Sequence, residues 1–154
     1  MSTEIRRAAP ADLPMVGFIT RRTIQEVYPR YYPRGAVEFF LDWHSDKRIL
    51  PDIEAGEVCL LSEGGMAAGT VTLHGGEITR LYVLPQLQGR GLGGALLDFA
   101  ERAIGEKYGK IRLEASLPAA VIYWKRGYRV VDMLTETENH GDVLCWDVME
   151  KPWP

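Results

Sequence analysis

The sequence predicts a mixed α+β fold with a central, mostly antiparallel sheet, flanking helices and one parallel β-helix-β crossover. Runs of β-branched and aromatic residues are separated by glycine pairs at 64–65 and 75–76, which predicts antiparallel strands joined by tight turns. A helical pattern then lies between predicted strands at 77–83 and 111–115. Because parallel strands need such a crossover connection, this order predicts the parallel pair.

The composition fits one folded domain spanning residues 1–154. Of the 154 residues, 46% are hydrophobic and 25% are charged, which is enough apolar surface for a core. The net charge is −3, and no dense Lys/Arg cluster is present to bind nucleic-acid phosphates. Neither a membrane-length apolar run nor a secretion signal is found. We therefore predict a cytoplasmic protein that binds neither nucleic acid nor membrane.

The two cysteines, Cys59 and Cys145, lie in separate strand-like apolar runs. Because their spacing matches neither a disulfide framework nor a zinc site, no metal is predicted. No paired histidine accompanies either thiol, which disfavours an acyl-cysteine intermediate. Both are predicted to be buried thiols in a reducing compartment.

The first half of the chain is predicted to combine helices with a strand hairpin. Prolines in the segment 28–35 separate two helices. The predicted elements are a strand from Ile5, helices at 12–28 and 36–44, and strands at 57–62 and 66–74.

The second half contains the strongest helical pattern, which begins near Arg90. The predicted buried face comprises Leu92, Leu96, Phe99, Ala100, Ala103 and Ile104, and the predicted exposed face comprises Asp98, Glu101, Arg102 and Glu106. The remaining predicted elements are a strand at 111–115, a short helix at 118–125, and strands at 128–134 and 143–149.

Four glycines, at 89, 91, 93 and 94, mark the start of this strongest helix. Glycine is costly in a helix, so its use here indicates unusual backbone angles or close approach of a ligand. Free N–H groups at a helix N-terminus bind anions, and a pyrophosphate is the expected ligand. Packing or a sharp turn alone would need fewer glycines.

A dinucleotide-binding Rossmann unit is one alternative for this loop. Gly89, Gly91 and Gly94 satisfy G-x-G-x-x-G, and Glu114 follows at about the 20-residue spacing of the ribose-binding acid. However, residues 84–88 make the connection longer than a Rossmann turn, and too little chain follows for further α/β units. No P-loop pattern is present.

Residues 77–128 resemble the GNAT superfamily of N-acetyltransferases. The family's acyl-CoA loop, Gln/Arg-x-x-Gly-x-Gly/Ala, corresponds to Gln88-Gly89-Arg90-Gly91-Leu92-Gly93. The segment 77–85 resembles the family's fourth strand, and IYWKRGY at 122–128 resembles its conserved tyrosine segment. The resemblance implies a GNAT-like fold and acetyl-CoA as the acyl donor.

The resemblance also implies how acetyl-CoA is held. The pantetheine arm would pair with the strand edge at Leu81, Tyr82 and Val83, where the N–H of Leu81 or Val83 would also face the thioester oxygen. Ser116 stands where the family often has asparagine, which changes a usual pantetheine contact. The pyrophosphate would bind backbone N–H groups of Gln88, Gly89, Arg90, Gly91, Leu92, Gly93 and Gly94.

Two residues match the family's catalytic positions. Glu77 would accept the amine proton through water. His74 or water itself is the alternative base, in which case Glu77 is simply a solvated residue beside the turn. Tyr123 would protonate the departing thiolate, unless it is simply a core tyrosine. The presence of both residues disfavours a non-catalytic acyl-CoA-binding module, which is a second alternative function.

The predicted activity is acetyl transfer to a primary amine of a small molecule or peptide by direct attack in a ternary complex. Acceptor specificity is expected from the first two helices and the last two strands, with Tyr28, Tyr31 and Tyr32 as candidate lining residues. The sequence leaves the oligomeric state open, a homodimer included.

Overall fold

The computed structural model describes residues 2–139 and 142–154, and this part of the chain contains five α-helices and seven strands. The helices are α1 (Leu13–Val27), α2 (Arg34–Trp43), α3 (Asp46–Glu54), α4 (Leu92–Tyr108) and α5 (Leu117–Lys125). The strands are β1 (Thr3–Arg7), β2 (Val58–Glu63), β3 (Met66–His74), β4 (Glu77–Val83), β5 (Lys110–Ala115), β6 (Arg129–Asn139) and β7 (Asp142–Pro152).

These strands form one sheet in the order β1-β2-β3-β4-β5-β7-β6. The neighbours from β1 to β4 are antiparallel, as are β5, β7 and β6 in turn. The pair β4–β5 is parallel and is connected by α4. The predicted mixed fold, with its parallel crossover, is therefore confirmed.

Helices cover both faces of the sheet. On one face, α4 packs Leu96 and Ile104 against strand residues such as Ile111, and Tyr123 of α5 joins the same cluster. On the other face, α1 and α3 contribute Ile19 and Ile49 to a second buried cluster. Apolar burial on both faces fixes the position of β4 between the two helical layers.

Helix α3 is absent from the sequence prediction. Pro51 lies inside it and would normally interrupt a helix, although Ile49 and Ile53, four residues apart, are both buried. Strands β6 and β7 are also longer than predicted, because their hairpin continues through a polar stretch without the apolar alternation used to find strands.

The face assignment of α4 was partly wrong. Leu92, Leu96, Ala100 and Ile104 are buried as predicted, but Phe99 and Ala103 are exposed. Glu101, predicted to be exposed, is only 4% exposed, because it follows the buried Leu97 by four residues and shares its face.

Glu101 is the centre of a buried polar network that ties α4 to the segment after α5. Its carboxylate accepts hydrogen bonds from Arg126 (3.0 and 3.2 Å), Lys151 Nζ (3.0 Å) and the Tyr128 hydroxyl (2.9 Å). Burial opposes the negative charge, but these hydrogen bonds outweigh it and lower the pKa of Glu101. The network anchors the segment that carries Tyr123.

Replacing Glu101 by alanine is expected to lower the free energy of unfolding by about 3 kcal/mol, because Arg126 and Lys151 lose their buried partner. The exposed Glu106→Ala, on the same helix, should change it by less than about 0.5 kcal/mol. The pKa of Glu101 is lower in the folded protein than in the unfolded chain. Its carboxylate therefore contributes fully to the free energy of unfolding above a pH of about 4.3, and this contribution is lost as the pH falls through the folded pKa. Urea denaturation at several pH values should show that the free energies of unfolding of Glu101→Ala and wild type become more similar in acid. Equal stability of the two proteins at neutral pH would contradict the assigned role of Glu101.

The cysteine prediction was wrong for one residue. Cys59 is half-buried, whereas Cys145 is exposed because its neighbour Leu144 points into the core and strand residues alternate.

Within the described residues, no helix is long and apolar enough to cross a membrane.

Candidate active site

Strands β4 and β5 separate shortly after they begin. Their pairing is confined to Glu77 with Arg112 and Ile78 with Leu113 in the described structure. A register shift on the β3 side accompanies the separation. Ile78 packs on the α4 face, whereas Tyr82 packs on the α1 face. The C-terminal half of β4 therefore has an edge that faces away from β3 and is not paired to β5.

This edge opens into a cavity of about 990 Å³. Walls come from β4, the glycine loop, α5, and aromatic residues of α2, β7 and the segment that follows α1. The sequence-predicted site residues that line it are Leu81, Tyr82, Val83, Gln88, Gly89, Gly91, Gly93, Gly94, Ser116 and Tyr123.

Three other predicted site residues do not line this cavity. Arg90 forms an ion pair with Glu63 at 2.6 Å, and Leu92 is buried in the core beneath the helix start. The side chain of Leu92 is therefore unavailable to a ligand, whereas that of Arg90 is about half exposed. Glu77, the third, lies at the far end of β4.

The glycines of the loop are not explained by packing within the chain. Gly89 and Gly91 have φ of 79° and 82°, a region that favours glycine. Gly93 and Gly94 lie inside α4 without such angles. A Cβ built at Gly94 meets no atom within 4 Å, and one at Gly93 meets only Val83 Cγ2 at 3.9 Å. The space beside the helix N-terminus suits a phosphate-bearing ligand that approaches the backbone.

Gln88 connects the glycine loop to the end of β4. Its Nε2 donates a hydrogen bond to the Val83 carbonyl at 3.0 Å, and Thr23 Oγ1 donates to the same oxygen at 3.3 Å. The loop is thus held against the open edge of β4.

Tyr123 is brought to the cavity by α5. Its side chain is buried, and this burial raises the pKa of the hydroxyl well above its usual value. The ring lies 5.6 Å from that of Tyr128, which hydrogen-bonds to Glu101. The hydroxyl is therefore a proton donor, and not a phenolate, at neutral pH.

The start of α5 is held by Tyr32 and not by the side chain of Ser116. Ser116 occupies the N-cap position, but its side chain makes no capping hydrogen bond. Instead, the backbone N–H of Leu117 donates to the Tyr32 hydroxyl at 2.6 Å. Tyr32 therefore supports α5, whereas Tyr28 and Tyr31 line the cavity.

Glu77 and His74 lie at the edge of a separate cavity of about 290 Å³. His74 is exposed, and its Nδ1 lies 2.8 Å from Glu57 Oε2. Burial raises the pKa of Glu77, and the carboxylate of Glu114 adds to the rise. Glu114 itself lines the main cavity, so its carboxylate acts on Glu77 and also borders that cavity.

Two cavity residues that the sequence did not indicate are His44 and Arg80. Arg80 is buried; its Nε donates to His44 Nδ1 at 3.0 Å and its Nη1 pairs with Asp52. Burial and the charges of Arg80 and Arg48 lower the pKa of His44 to about 3. His44 is thus neutral near pH 7, and because its Nδ1 accepts from Arg80, its proton is on Nε2.

Comparison with known proteins agrees with this geometry. Residues 27–145 match the family profile described as "Acetyltransferase (GNAT) domain". No curated protein sequence matches the chain.

Three solved structures illustrate the shared fold. A GCN5-related N-acetyltransferase from Rhodopseudomonas palustris has a TM-score of 0.89 and 23% identity, covering 99% of this chain and 96% of that one. The PaiA N-acetyltransferase of Thermoplasma acidophilum, solved with coenzyme A, has a TM-score of 0.75 and 22% identity, with 99% and 100% covered. The ribosomal-protein alanine N-acetyltransferase of Escherichia coli has a TM-score of 0.70 and 20% identity, with 99% and 94% covered.

The family match spans most of the chain and includes β4, the glycine loop and α5, which together form the cavity. The chain therefore belongs to the GNAT acetyltransferase family.

Proposed function

We propose that the protein is an N-acetyltransferase that uses acetyl-CoA to acetylate a primary amine by direct attack in a ternary complex. One observation carries the proposal: the glycine loop, the open edge of β4 and the buried Tyr123 all border the same cavity. A phosphate site, a site for amide pairing and a proton donor are the groups that the reaction needs.

Acetyl-CoA would supply an acetyl group activated as a thioester. Backbone N–H groups from Gln88 to Gly94 hold its pyrophosphate, and the edge from Leu81 to Val83 pairs with its pantetheine amides. Ser116 lies at the wall of the same cavity. The coenzyme A bound to the Thermoplasma relative supports this use of the cavity.

Different residues around the reacting atoms carry out the separate steps of the transfer. A backbone N–H of Leu81 or Val83 stabilises the negative charge on the thioester oxygen as the C–N bond forms. The Tyr123 hydroxyl donates to the sulfur as the C–S bond breaks. Glu77 receives the amine proton through water, because its side chain lies outside the main cavity.

Glu77→Gln is expected to lower kcat/KM about 100-fold near neutral pH, where an amine with a pKa of about 10 is almost fully protonated. The loss should shrink as the pH approaches about 10, since the free amine then needs no base. The pH–rate profile is the measurement, with the exposed Glu106→Gln as the control. A profile that changes only in Glu114→Gln would assign the base to Glu114 instead.

The function itself is tested by two assays on the wild-type protein. Calorimetry should show that acetyl-CoA binds more tightly than NAD. Incubation with acetyl-CoA and a panel of amines should then release free CoA. Tight binding without release would indicate a non-catalytic acyl-CoA-binding module, and preference for NAD would contradict the proposed donor.

A further inference from the structure

We propose that His44 recognises the acceptor by donating a hydrogen bond from its Nε2–H to an uncharged oxygen beside the amine, such as the carbonyl of an α-amino amide. The inference rests on the proposed acetyl transfer and gives it a specificity-determining residue. It concerns the half of the cavity on the α1 face of β4, which is the half that remains for the acceptor. A fixed tautomer, a donor without a partner and the surrounding charges carry it.

The ring of His44 is held in one tautomer by its neighbours. Arg80 Nε donates a hydrogen bond to His44 Nδ1 at 3.0 Å, and Arg80 Nη1 pairs with Asp52. A guanidinium can donate but cannot accept, so Nδ1 carries no proton and Nε2 carries one. Arg80 is therefore a positioning residue that acts through His44, and Asp52 holds Arg80 in place.

The Nε2–H donor has no partner among the described residues. His44 is only 8% exposed, and the hydrogen bond found on its ring is the one at Nδ1. In the described part of the chain, the fully enclosed side-chain nitrogen and oxygen atoms without a partner are Thr72 Oγ1 and Trp146 Nε1. His44 Nε2 is thus not fully enclosed, and the residue borders the cavity. A ligand oxygen in the cavity would give this donor the hydrogen bond that the protein does not.

His44 lies beside the strand segment at which the transfer is proposed. Its partner Arg80 directly precedes Leu81, the first residue of the open edge of β4. Its ring also contacts that of Tyr82, with 5.8 Å between the centroids and 72° between the planes. An oxygen bound to His44 is therefore expected only a few bonds from the amine that attacks the thioester. The carbonyl of an α-amino amide has this spacing.

The charges around His44 favour an uncharged oxygen over a carboxylate. The positive charge of Arg80 is already balanced by Asp52, and Arg30, which also lines the cavity, is exposed and screened by water. The carboxylate of Glu114 borders the same cavity and would repel a second negative charge. A buried substrate carboxylate would therefore lack compensation, whereas a carbonyl oxygen needs only the N–H donor.

Calorimetry on the wild-type protein saturated with CoA tests the recognition without turnover. Leucinamide and isoamylamine are a matched pair, because they differ only in the carboxamide on the carbon that bears the amine. We expect leucinamide to bind at least about tenfold more tightly than isoamylamine, and also more tightly than leucine, which carries a carboxylate instead. Equal binding of leucinamide and isoamylamine, or tighter binding of leucine, would overturn the proposal.

Three variants assign the preference to the Nε2–H donor. His44→Phe should lower the preference for leucinamide over isoamylamine about tenfold, whereas His44→Gln keeps an N–H donor near the position of Nε2 and should retain most of it. Phe40→Leu is the matched control, because Phe40 lies one turn before His44 and lines the same cavity. It should change both Kd values by the same factor. An unchanged preference in His44→Phe would overturn the proposal.

Nuclear magnetic resonance on the wild-type protein tests the donor without any substitution. Long-range ¹H–¹⁵N correlations should show His44 with Nε2 protonated and Nδ1 unprotonated. Leucinamide should shift the Nε2–H signal, and isoamylamine should shift it less. A proton on Nδ1, or equal shifts with the two ligands, would contradict the assigned hydrogen bond.

A small amino amide and the N-terminus of a peptide offer the same carbonyl. The tripeptide Leu-Ala-Ala amide distinguishes these two sources. Tighter binding of the tripeptide than of leucinamide would indicate a peptide, and equal or weaker binding would indicate a small molecule. Both results support recognition of the carbonyl, provided that His44→Phe weakens the binding.

CoA release from acetyl-CoA separates this inference from the proposed function. Leucinamide that binds as expected but releases no CoA would support the recognition by His44 and contradict the transfer. CoA release with isoamylamine but not with leucinamide would support the transfer and overturn the recognition.

Discussion

Replacing Gly94 by valine is expected to weaken acetyl-CoA binding at least about 100-fold while leaving the fold intact. A Cβ at this position meets no protein atom within 4 Å, and the residue lies in the first turn of α4 without a positive φ. The valine side chain would instead occupy the space beside the helix N-terminus where the pyrophosphate must approach. Calorimetry measures the Kd, and circular dichroism checks the fold.

A substitution at Gly94 tests the proposed pyrophosphate site better than one at Gly91. Gly91 has φ of 82°, so valine there would strain the backbone and change the helix start as well as the ligand space. The matched control is Ala103→Val, which adds the same branched side chain to an exposed position of α4. Equal affinity for acetyl-CoA in wild type and Gly94→Val would refute the placement of the pyrophosphate.

Replacing Tyr123 by phenylalanine is expected to lower kcat by about 10²–10⁴-fold with little change in the Kd for acetyl-CoA. The hydroxyl is used as the thiolate departs, so its loss affects the transition state more than the ground state. The phenylalanine ring keeps the packing against Tyr128. Burial keeps this hydroxyl protonated, which makes it a hydrogen-bond donor throughout the neutral range.

Steady-state kinetics and calorimetry on the same preparation separate the two effects. Wild-type kcat in Tyr123→Phe would place Tyr123 in the core and leave the general acid unassigned.

The half of the cavity that we propose for acetyl-CoA could be predicted because its signal is local. Strand β4, the glycine loop and the start of α4 are consecutive in the chain, and the glycines of the loop, including Gly89 and Gly91 with their positive φ, are visible in the sequence. Tyr123, which also lines the cavity, could be singled out in the same way, because its short segment has its own pattern. These segments needed no knowledge of long-range packing.

In the half that we propose for the acceptor, Tyr28 and Tyr31 could be predicted as lining residues, but most of the other side chains could not, because this half is assembled from distant segments. His44 and Arg80 are 36 positions apart, and they meet only because the fold brings the residue after α2 against β4. Trp146 reaches the same wall from β7. Glu101 and α3 were missed for a related reason. A charged residue is normally exposed and a proline normally ends a helix, but tertiary contacts stabilise the buried Glu101 and the helix that contains Pro51.

Transfer of isotope-labelled acetyl from acetyl-CoA is the most direct measurement of the central claim. In a single turnover with an amine acceptor, the label should appear in the amine, and none should remain covalently on the protein. Incubation without amine should leave the protein unlabelled, because the acetyl group passes directly to the acceptor. Label retained on the protein, at Cys59 or Cys145 for example, would contradict direct attack, and bound donor with no label in any amine would contradict acetyl transfer itself.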